Sequence, residues 1–318
     1  MIISGKTKIY GLIGNPVENS YSPYIYNSAL EQTGIDGRYL AFYVPKAQLN
    51  SAVQGIKGLS IKGVNVTAPF KENVIKYLDT ISPIVKYIGA VNTIINNNGK
   101  LSGFNTDYLG FLKQLQQLKG ELDGKTSLKI TIFGAGGAAR AIVFSLLLFF
   151  NYLESKHIEE TKNLLQESYD NQFHQKQIQS IEIINRDEKK ASSLKEMIEK
   201  LFYKDRITVV TKKYNPTNFS EVTKNCDIFI NATSLGFKGC PVLNERIPDD
   251  IFTDKQIVVD LAYNLGNRSF FELGRKARAK IYCGLDMLIY QAEASFYLFT
   301  GHRKSFESIK RNILETLE

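Results

Sequence analysis

Apolar and polar positions change their period several times along this chain. LKITIF at Leu128–Phe133 is a nearly continuous apolar run of strand length, it breaks at Gly134, and an alanine-rich pattern with helical spacing continues to Phe150. A short apolar run, a glycine break and a longer periodic run predict a buried strand, a tight turn and a helix. IEIIN, CDIFIN and QIVVDL have the same buried-strand character, with polar residues at their C-terminal ends. The first hundred residues alternate in the same way. KIYGLIG reads as a strand, SPYIYNSALEQTG as a helix from Pro23 to a stop at Gly34, Arg38–Val44 as a strand and Ala47–Lys57 as a helix. Gly63–Val66 then reads as a buried strand, Thr67–Pro69 as a turn, and a helix is expected to begin near Lys71. AVNTII and a return strand entering Gly103–Asp107, joined at Asn97–Lys100, predict a hairpin ahead of the amphipathic YLGFLKQLQQL. Strands alternating with helices predict an α/β architecture. A length of 318 residues suits two domains, each with its own core.

Charge and composition narrow what such a fold can do. The net charge is +8, but Lys and Arg are scattered, with the densest groups at Arg186–Lys190 and Arg275–Lys280. Nucleic-acid binders gather basic residues on one stripe or tail, so this distribution predicts a solvated basic surface and a field for small anions, with no nucleic-acid partner. The longest apolar run, Ala141–Phe150, is interrupted by Ser145 and falls short of the roughly 20 residues that span a bilayer. Met1–Tyr10 carries two lysines and no apolar core, unlike a signal peptide. Neither a membrane nor secretion is expected. Cys226, Cys240 and Cys283 are too far apart for a disulfide framework or a metal cluster, which fits a reduced cytoplasmic setting. His157, His174 and His302 lie outside every motif, so no metal site is expected.

Three stretches carry candidate chemistry. In the first, Gly134, Gly136 and Ala139 give a G-x-G-x-x-A spacing between strand and helix. There the first glycine permits a sharp turn, the second lets backbone approach a pyrophosphate, and the small third residue lets helix pack on strand. The unpaired N–H groups and positive dipole end of the helix then face the anion. In the second, Ser20 and Ser22 flank a helix start, where two hydroxyls could meet one carboxylate, although position alone favours helix capping. The third joins Lys71, just past a strand end, with Asn92, Asn105 and Asp107, which the hairpin brings to one end. Lys71 reads equally as a cleft residue or a surface helix-start lysine, and the others as turn formers, with Asp107 an N-cap.

Taken together, GLIGNPVENSYSP, NVTAPFKE, GAVNTI and GFNTDYLGF precede the glycine turn, and NATSLGF, VVDLAYN and GLDMLIYQAEASFYLFTG follow it. In that order they resemble the shikimate and quinate dehydrogenase family over nearly the whole chain, except for about 28 residues between Asn151 and Ile178. The resemblance implies two domains: an N-terminal α/β substrate domain, 1–106 with a C-terminal helix returning as 288–318, and a Rossmann-type dinucleotide-binding domain, 107–287, with an insertion at about 151–178. It implies NADPH-dependent, reversible reduction of 3-dehydroshikimate to shikimate in aromatic amino-acid biosynthesis, by a cytoplasmic monomer or homodimer. An NAD-linked quinate or dual quinate/shikimate dehydrogenase is the alternative, and a non-catalytic cofactor-binding regulator is a rival of another class.

Residue by residue, the resemblance places the substrate carboxylate on Ser20 and Ser22 with Thr67 and Tyr263, and the ring hydroxyls on Asn92, Asp107 and Gln291. Lys71 and Asp107 become the reacting pair, with Lys71 chiefly a proton donor and electrostatic stabiliser and its role as a base left open. The cofactor falls to Gly134, Ala135, Gly136, Gly137, Ala138 and Ala139, to Asn185, Arg186 and Lys190, to Thr233 and Ser234, and to Gly284 and Met287. Met287 reads equally as ordinary core.

Two features depart from the family pattern. The second strand of the dinucleotide unit arrives about 50 residues after the glycines rather than about 20. The intervening insertion carries an amphipathic stripe, Ile158, Leu165, Tyr169 and Phe173, expected to be a surface elaboration, with a contact between subunits as the alternative. In Asn185-Arg186-Asp187 an aspartate stands where NADP-specific members carry a hydroxyl residue. Arg186, Lys189 and Lys190 oppose that single carboxylate, so NADP is expected to be preferred by a reduced margin, with NAD as the alternative.

Overall fold

The computed structural model describes residues 3–122, 125–153, 159, 161, 177–201, 207–237, 247–263 and 269–317. The stripe of the insertion, His157, His174 and Cys240 lie outside the described residues. The chain divides into two compact units, 1–113 with 287–318, and 114–286.

In the first unit, β1 (Lys8–Gly14), α1 (Ser22–Gln32), β2 (Gly37–Tyr43), α2 (Leu49–Gly58) and β3 (Gly63–Val66) are followed by β4 (Thr80–Ile81) and α3 (Pro83–Ile88). The hairpin β5 (Thr93–Asn97) and β6 (Lys100–Phe104) leads into α4 (Asp107–Gln117). The sheet order is β2-β1-β3-β5-β6-β4. β1 runs parallel to β2 and β3, whereas β5 lies antiparallel to both β3 and β6. All four residues of β3 are buried, as expected of a central strand covered on both faces. At the hairpin turn Asn98 and Gly99 both take positive φ, 51° and 91°, the combination that a two-residue turn of primed type demands.

The α-helix expected near Lys71 does not form. Lys71 sits in a turn, and only a 3-10 helix, Asn73–Tyr77, follows. The β-branched pair Val74-Ile75 and the need for Thr80 to enter the sheet end it within two turns.

In the second unit, β7 (Ser127–Phe133), α5 (Gly137–Phe149), β8 (Gln177–Asn185), α6 (Glu188–Leu201), β9 (Thr208–Lys213), α7 (Pro216–Lys224) and β10 (Ile228–Asn231) precede β11 (Ile257–Asp260), α8 (Phe270–Lys276) and β12 (Lys280–Cys283). The six strands are parallel in the order β12-β11-β10-β7-β8-β9, the doubly wound arrangement whose strand order reverses between β7 and β10. α5 is buried on all sides from Ala141 to Phe149, which explains its unbroken apolar sequence. Phe133, Phe219, Phe229, Phe252 and Phe270 fill one side of the sheet.

Two helices close the chain, α9 (Gly284–Thr300) and α10 (Glu307–Leu317). The units divide inside α4, between Lys113 and Gln114, and again between Asp286 and Met287. The first division lies later than the 106/107 position read from sequence because the start of α4 packs within the first unit. A Cβ on Gly110 would stand 2.5 Å from the carbonyl oxygen of Met287 and 2.9 Å from the amide nitrogen of Gln291, so only glycine lets the α4 and α9 backbones approach this closely.

Candidate active site

The first site is assembled from loops at strand ends of the first unit. β1 and β3 are parallel neighbours, so the segments leaving their carboxyl ends emerge on the same edge. Asn15 N–H donates to the carbonyl of Ala68 (3.0 Å), tying the two loops together. One loop carries Ser20 and Ser22, whose hydroxyls are 3.1 Å apart. The N-cap of α1 is Tyr21, without a side-chain cap bond, and Ser22 is the first helical residue. Ser20 Oγ accepts from Ser22 N–H at 3.2 Å, so one hydroxyl supports the helix start and the other is not a cap. The other loop carries Thr67, partly exposed, and then Lys71, whose carbonyl accepts from Val91 N–H at 2.8 Å. That bond pins Lys71 beside Asn92.

Lys71 Nζ lies 2.6 Å from Asp107 Oδ2, with both side chains largely shielded from water. The second carboxylate oxygen of Asp107 accepts from Asn92 Nδ2 at 2.9 Å, and Asn92 Nδ2 also lies 3.2 Å from Gln291 Oε1 on α9. Four residues that stand far apart in the chain thus form one cluster. Asp107 is the first residue of α4 rather than its cap, and its side chain points into this cluster. Asn105 stands apart from it. Its Nδ2 donates to the carbonyl of Ala90 (2.8 Å) and its Oδ1 accepts from Tyr108 N–H (3.3 Å), which holds the turn ahead of α4. An ammonium as close to a carboxylate as that of Lys71 is placed to stabilise charge on a nearby oxygen and to hand it a proton.

Reading the sequence left out Asn65, Thr93, Thr106 and Ser295, all buried and all bonded into the same network. The spacing of Gln291 and Ser295, four apart on one helix, was the signal that could have pointed to the last of them.

The second site belongs to the other unit. Gly134 takes φ +114°, and a Cβ there would stand 2.9 Å from the carbonyl oxygen of Ala232, so the turn closes against the loop after β10 only with glycine. Gly136 is the N-cap of α5 in an extended conformation, with no side-chain cap and open space where a Cβ would lie. The first N–H groups of α5 therefore face outward beside Gly137 and Ala138, while Ala135 and Ala139 are buried in the packing. Thr233 lies across the strand-order reversal, its hydroxyl donating to Asn231 Oδ1 at 2.7 Å, with Ser234 exposed next to it. Such an arrangement can hold a pyrophosphate on backbone amides.

Beyond β8, Asn185 Nδ2 donates to the carbonyl of Asp187 (2.8 Å), and Arg186, Lys189 and Lys190 are exposed. Asp187 Oδ1 accepts from the backbone N–H groups of Lys189 (3.0 Å) and Lys190 (3.2 Å), so this aspartate caps α6. The phenol of Tyr214, next along the neighbouring edge, is pushed up by burial and held back by the charge of Arg186. Gly284 opens α9 with its Cα against the carbonyl of Leu261, a contact with no room for a side chain. Met287 is buried in the first unit, and Tyr263 lies in the second, where its ring meets Phe237 edge-on at 4.6 Å.

No helix among the described residues is long and apolar enough to cross a membrane, and none of their His, Cys, Asp and Glu side chains group as a metal site would require.

These features agree with what the chain is similar to. Residues 12–94 match the shikimate dehydrogenase substrate binding domain, and 284–311 match the shikimate 5'-dehydrogenase C-terminal domain. Over 303 residues the chain is 38% identical to the shikimate dehydrogenase (NADP+) of Caldanaerobacter subterraneus subsp. tengcongensis, spanning 95% of this chain and 94% of that one. A solved shikimate dehydrogenase from Aquifex aeolicus superposes with a TM-score of 0.76 at 30% identity, over 98% of this chain and 99% of that one. A solved shikimate dehydrogenase in complex with NADP+ gives a TM-score of 0.77 at 32% identity, over 100% and 98%. With this identity sustained over nearly its full length, the chain belongs to the shikimate dehydrogenase family.

Proposed function

We propose that this protein catalyses the NADPH-dependent, reversible reduction of 3-dehydroshikimate to shikimate in aromatic amino-acid biosynthesis, in the cytoplasm, as a monomer or homodimer. The observation that carries the reading is the shielded Lys71–Asp107 pair, 2.6 Å apart, with Asn92 on the other carboxylate oxygen. A protein that only binds a cofactor has no use for such a pair. The first unit takes the substrate and the second the cofactor.

The residues of the second unit suit a phosphorylated dinucleotide. The uncapped N-terminus of α5 behind Gly134 and Gly136 would take the pyrophosphate, and Arg186 with Lys190 the 2′-phosphate. When bound, the nicotinamide supplies the hydride. The remaining work falls to the side chains of the first unit. Ser20 and Ser22, with hydroxyls 3.1 Å apart, hold the substrate carboxylate together with Thr67. Asn92, Asp107 and Gln291 read the ring hydroxyls, which rejects analogues lacking them because a buried polar group would lose its partner. Lys71 stabilises the charge that grows on the carbonyl oxygen and gives it a proton, completing the alcohol, while Asp107 keeps the ammonium in place.

Asp187 supports a second reading, since an acidic residue at this position suits the free ribose hydroxyl of NAD, and with it a quinate-type enzyme. Its engagement with the α6 backbone weighs toward NADP. Steady-state assays crossing shikimate and quinate with NADP+ and NAD+ decide. The highest kcat/KM is expected for shikimate with NADP+. A higher value for quinate with NAD+ would reverse the reading, and tight NADP+ binding without turnover of either acid would leave a regulator.

A further inference from the structure

Ser295 lies one turn beyond Gln291 on α9 and is fully buried. Its Oγ lies 2.8 Å from Thr106 Oγ1, 2.9 Å from Thr93 Oγ1 and 3.2 Å from Asn65 Nδ2, with the Tyr26 phenol also beside it. Counting protons gives these contacts a direction. The backbone N–H of Thr106 must donate, and it meets Asn92 Oδ1 at 2.7 Å, which fixes which end of the Asn92 amide is oxygen. Asn92 Nδ2 therefore turns to Thr106 Oγ1 at 2.8 Å and to Asp107 Oδ1 at 2.9 Å. Thr93 gives its single hydroxyl proton to Asn92 Oδ1, 2.9 Å away. At the Thr93–Ser295 contact the donor is then Ser295, and with its own proton committed Ser295 accepts from Thr106.

The result is a closed ring running one way: Asn92 Nδ2–H to Thr106 Oγ1, Thr106 to Ser295, Ser295 to Thr93, and Thr93 back to Asn92 Oδ1. Each bond in such a ring polarises the next. The contacts from Asn92 Nδ2 and Thr106 Oγ1 to Gln291 Oε1 are longer, 3.2 and 3.3 Å, and lie outside it.

We infer that Ser295 is a positioning residue: it closes the hydrogen-bonded ring that locks the Asn92 amide, leaving one N–H for Asp107 and so aiming the other carboxylate oxygen at Lys71. Ser295 touches neither Asp107 nor Lys71 in this arrangement and acts through Asn92. The inference rests on the reading that Asn92 and Asp107 contact the substrate. Its specific content is cooperativity, because Thr93 and Ser295 serve one ring and breaking it at either place has the same effect.

The test measures kcat and KM for shikimate and for NADP+, with Tm, in wild type, Ser295→Ala, Thr93→Val and the double variant. Thr93→Val keeps the shape of the side chain and breaks the ring even if Ser295→Ala folds poorly. Each single variant is expected to raise the shikimate KM about fivefold, the scale of one net hydrogen bond. The NADP+ KM stays within about twofold, and the double variant matches the singles because the ring is already open. A merely structural hydroxyl would lower Tm and the active fraction, and so kcat, with the shikimate KM unchanged. That result, or single effects that multiply in the double variant, overturns the proposal while leaving the activity intact. A wild-type protein that does not turn over shikimate overturns the underlying reading, and this proposal with it.

Discussion

The two candidate sites are built from different materials. In the first unit, chemistry is carried by side chains that reach one cluster from β3, β5, α4 and α9 and from the loop bearing Lys71, each holding the next by hydrogen bonds. In the second, it is carried by backbone: a glycine turn, an uncapped helix start and open space at Gly136. A site made of side chains can distinguish one small molecule from another, because every buried donor or acceptor must find its counterpart. A backbone cradle recognises a charge distribution that many dinucleotides share, and leaves the choice among them to a few exposed residues at its rim.

The sharpest way to break this contrast is at Lys71. Lys71→Ala is expected to lower kcat by about two to four orders of magnitude, the range for a positioned proton-transfer group, with little change in the shikimate KM. Turnover close to wild type would remove the mechanism.

Losing one arm of the carboxylate clamp should cost less. Ser22→Ala is expected to raise the shikimate KM by an amount equivalent to roughly 1.5–3 kcal/mol, as for a hydrogen bond to a charged group. If thermal stability drops while KM holds, the hydroxyls serve the helix start instead.

In the backbone site the corresponding lesion adds atoms rather than removing them. Gly134→Ala forces a side chain into positive φ and against Ala232, and should destabilise the protein by about 1–3 kcal/mol and weaken NADP+ binding, with shikimate binding unaffected. Chemical denaturation with separate titrations of the two ligands reads both effects. Weakened shikimate binding would show that the two sites are not independent.

At the rim the effects are smaller. Asp187→Thr keeps a side-chain oxygen for the α6 cap and removes a carboxylate, so NADP+ preference should rise several-fold at nearly constant Tm, whereas Asp187→Ala should lose about 1 kcal/mol of stability with the cap. Arg186→Ala should weaken NADP+ and spare NAD+. Unchanged cofactor selectivity in Asp187→Thr would make the aspartate purely a cap.

A further effect is one of pH. Asp260, buried at the end of β11, accepts from Asn231 Nδ2 (2.7 Å) and from the N–H groups of Phe271 (3.1 Å) and Ala262 (3.2 Å). Burial pushes its carboxyl up from 3.8 to about 6, and these hydrogen bonds oppose the rise. A folded value above the unfolded one means that its stabilising contribution is complete below 3.8 and lost as pH climbs to about 6. Urea unfolding across that window should show wild type losing ground against Asp260→Asn as pH rises. The opposite slope would mean that the hydrogen-bond donors outweigh burial.

How much of this was legible without coordinates follows from the range of the forces involved. The glycine turn, the buried strands, the Asn98-Gly99 hairpin and the exposed cations after β8 were readable because each depends on local φ, on side-chain period or on charge within a few residues. The residue types at Lys71, Asp107 and Gln291 were readable too, although their roles entered through resemblance rather than spacing. Asp187 looked like a charge opposing a phosphate, and only the folded chain put its oxygen on the α6 amides. The ring through Asn92, Thr93, Thr106 and Ser295 was out of reach. Its bonds join residues up to 202 positions apart, and nothing in a linear pattern states which face of α9 meets which strand. That register is decided by packing, by Gly110 admitting α9 against α4 and by a buried sheet that must satisfy every polar group it encloses. The sequence by itself therefore determined the elements and the inventory of reactive groups, because those rest on short-range sterics. Tertiary structure alone decided which of the groups share protons, because a hydrogen bond exists only once long-range packing has brought donor and acceptor within about 3 Å.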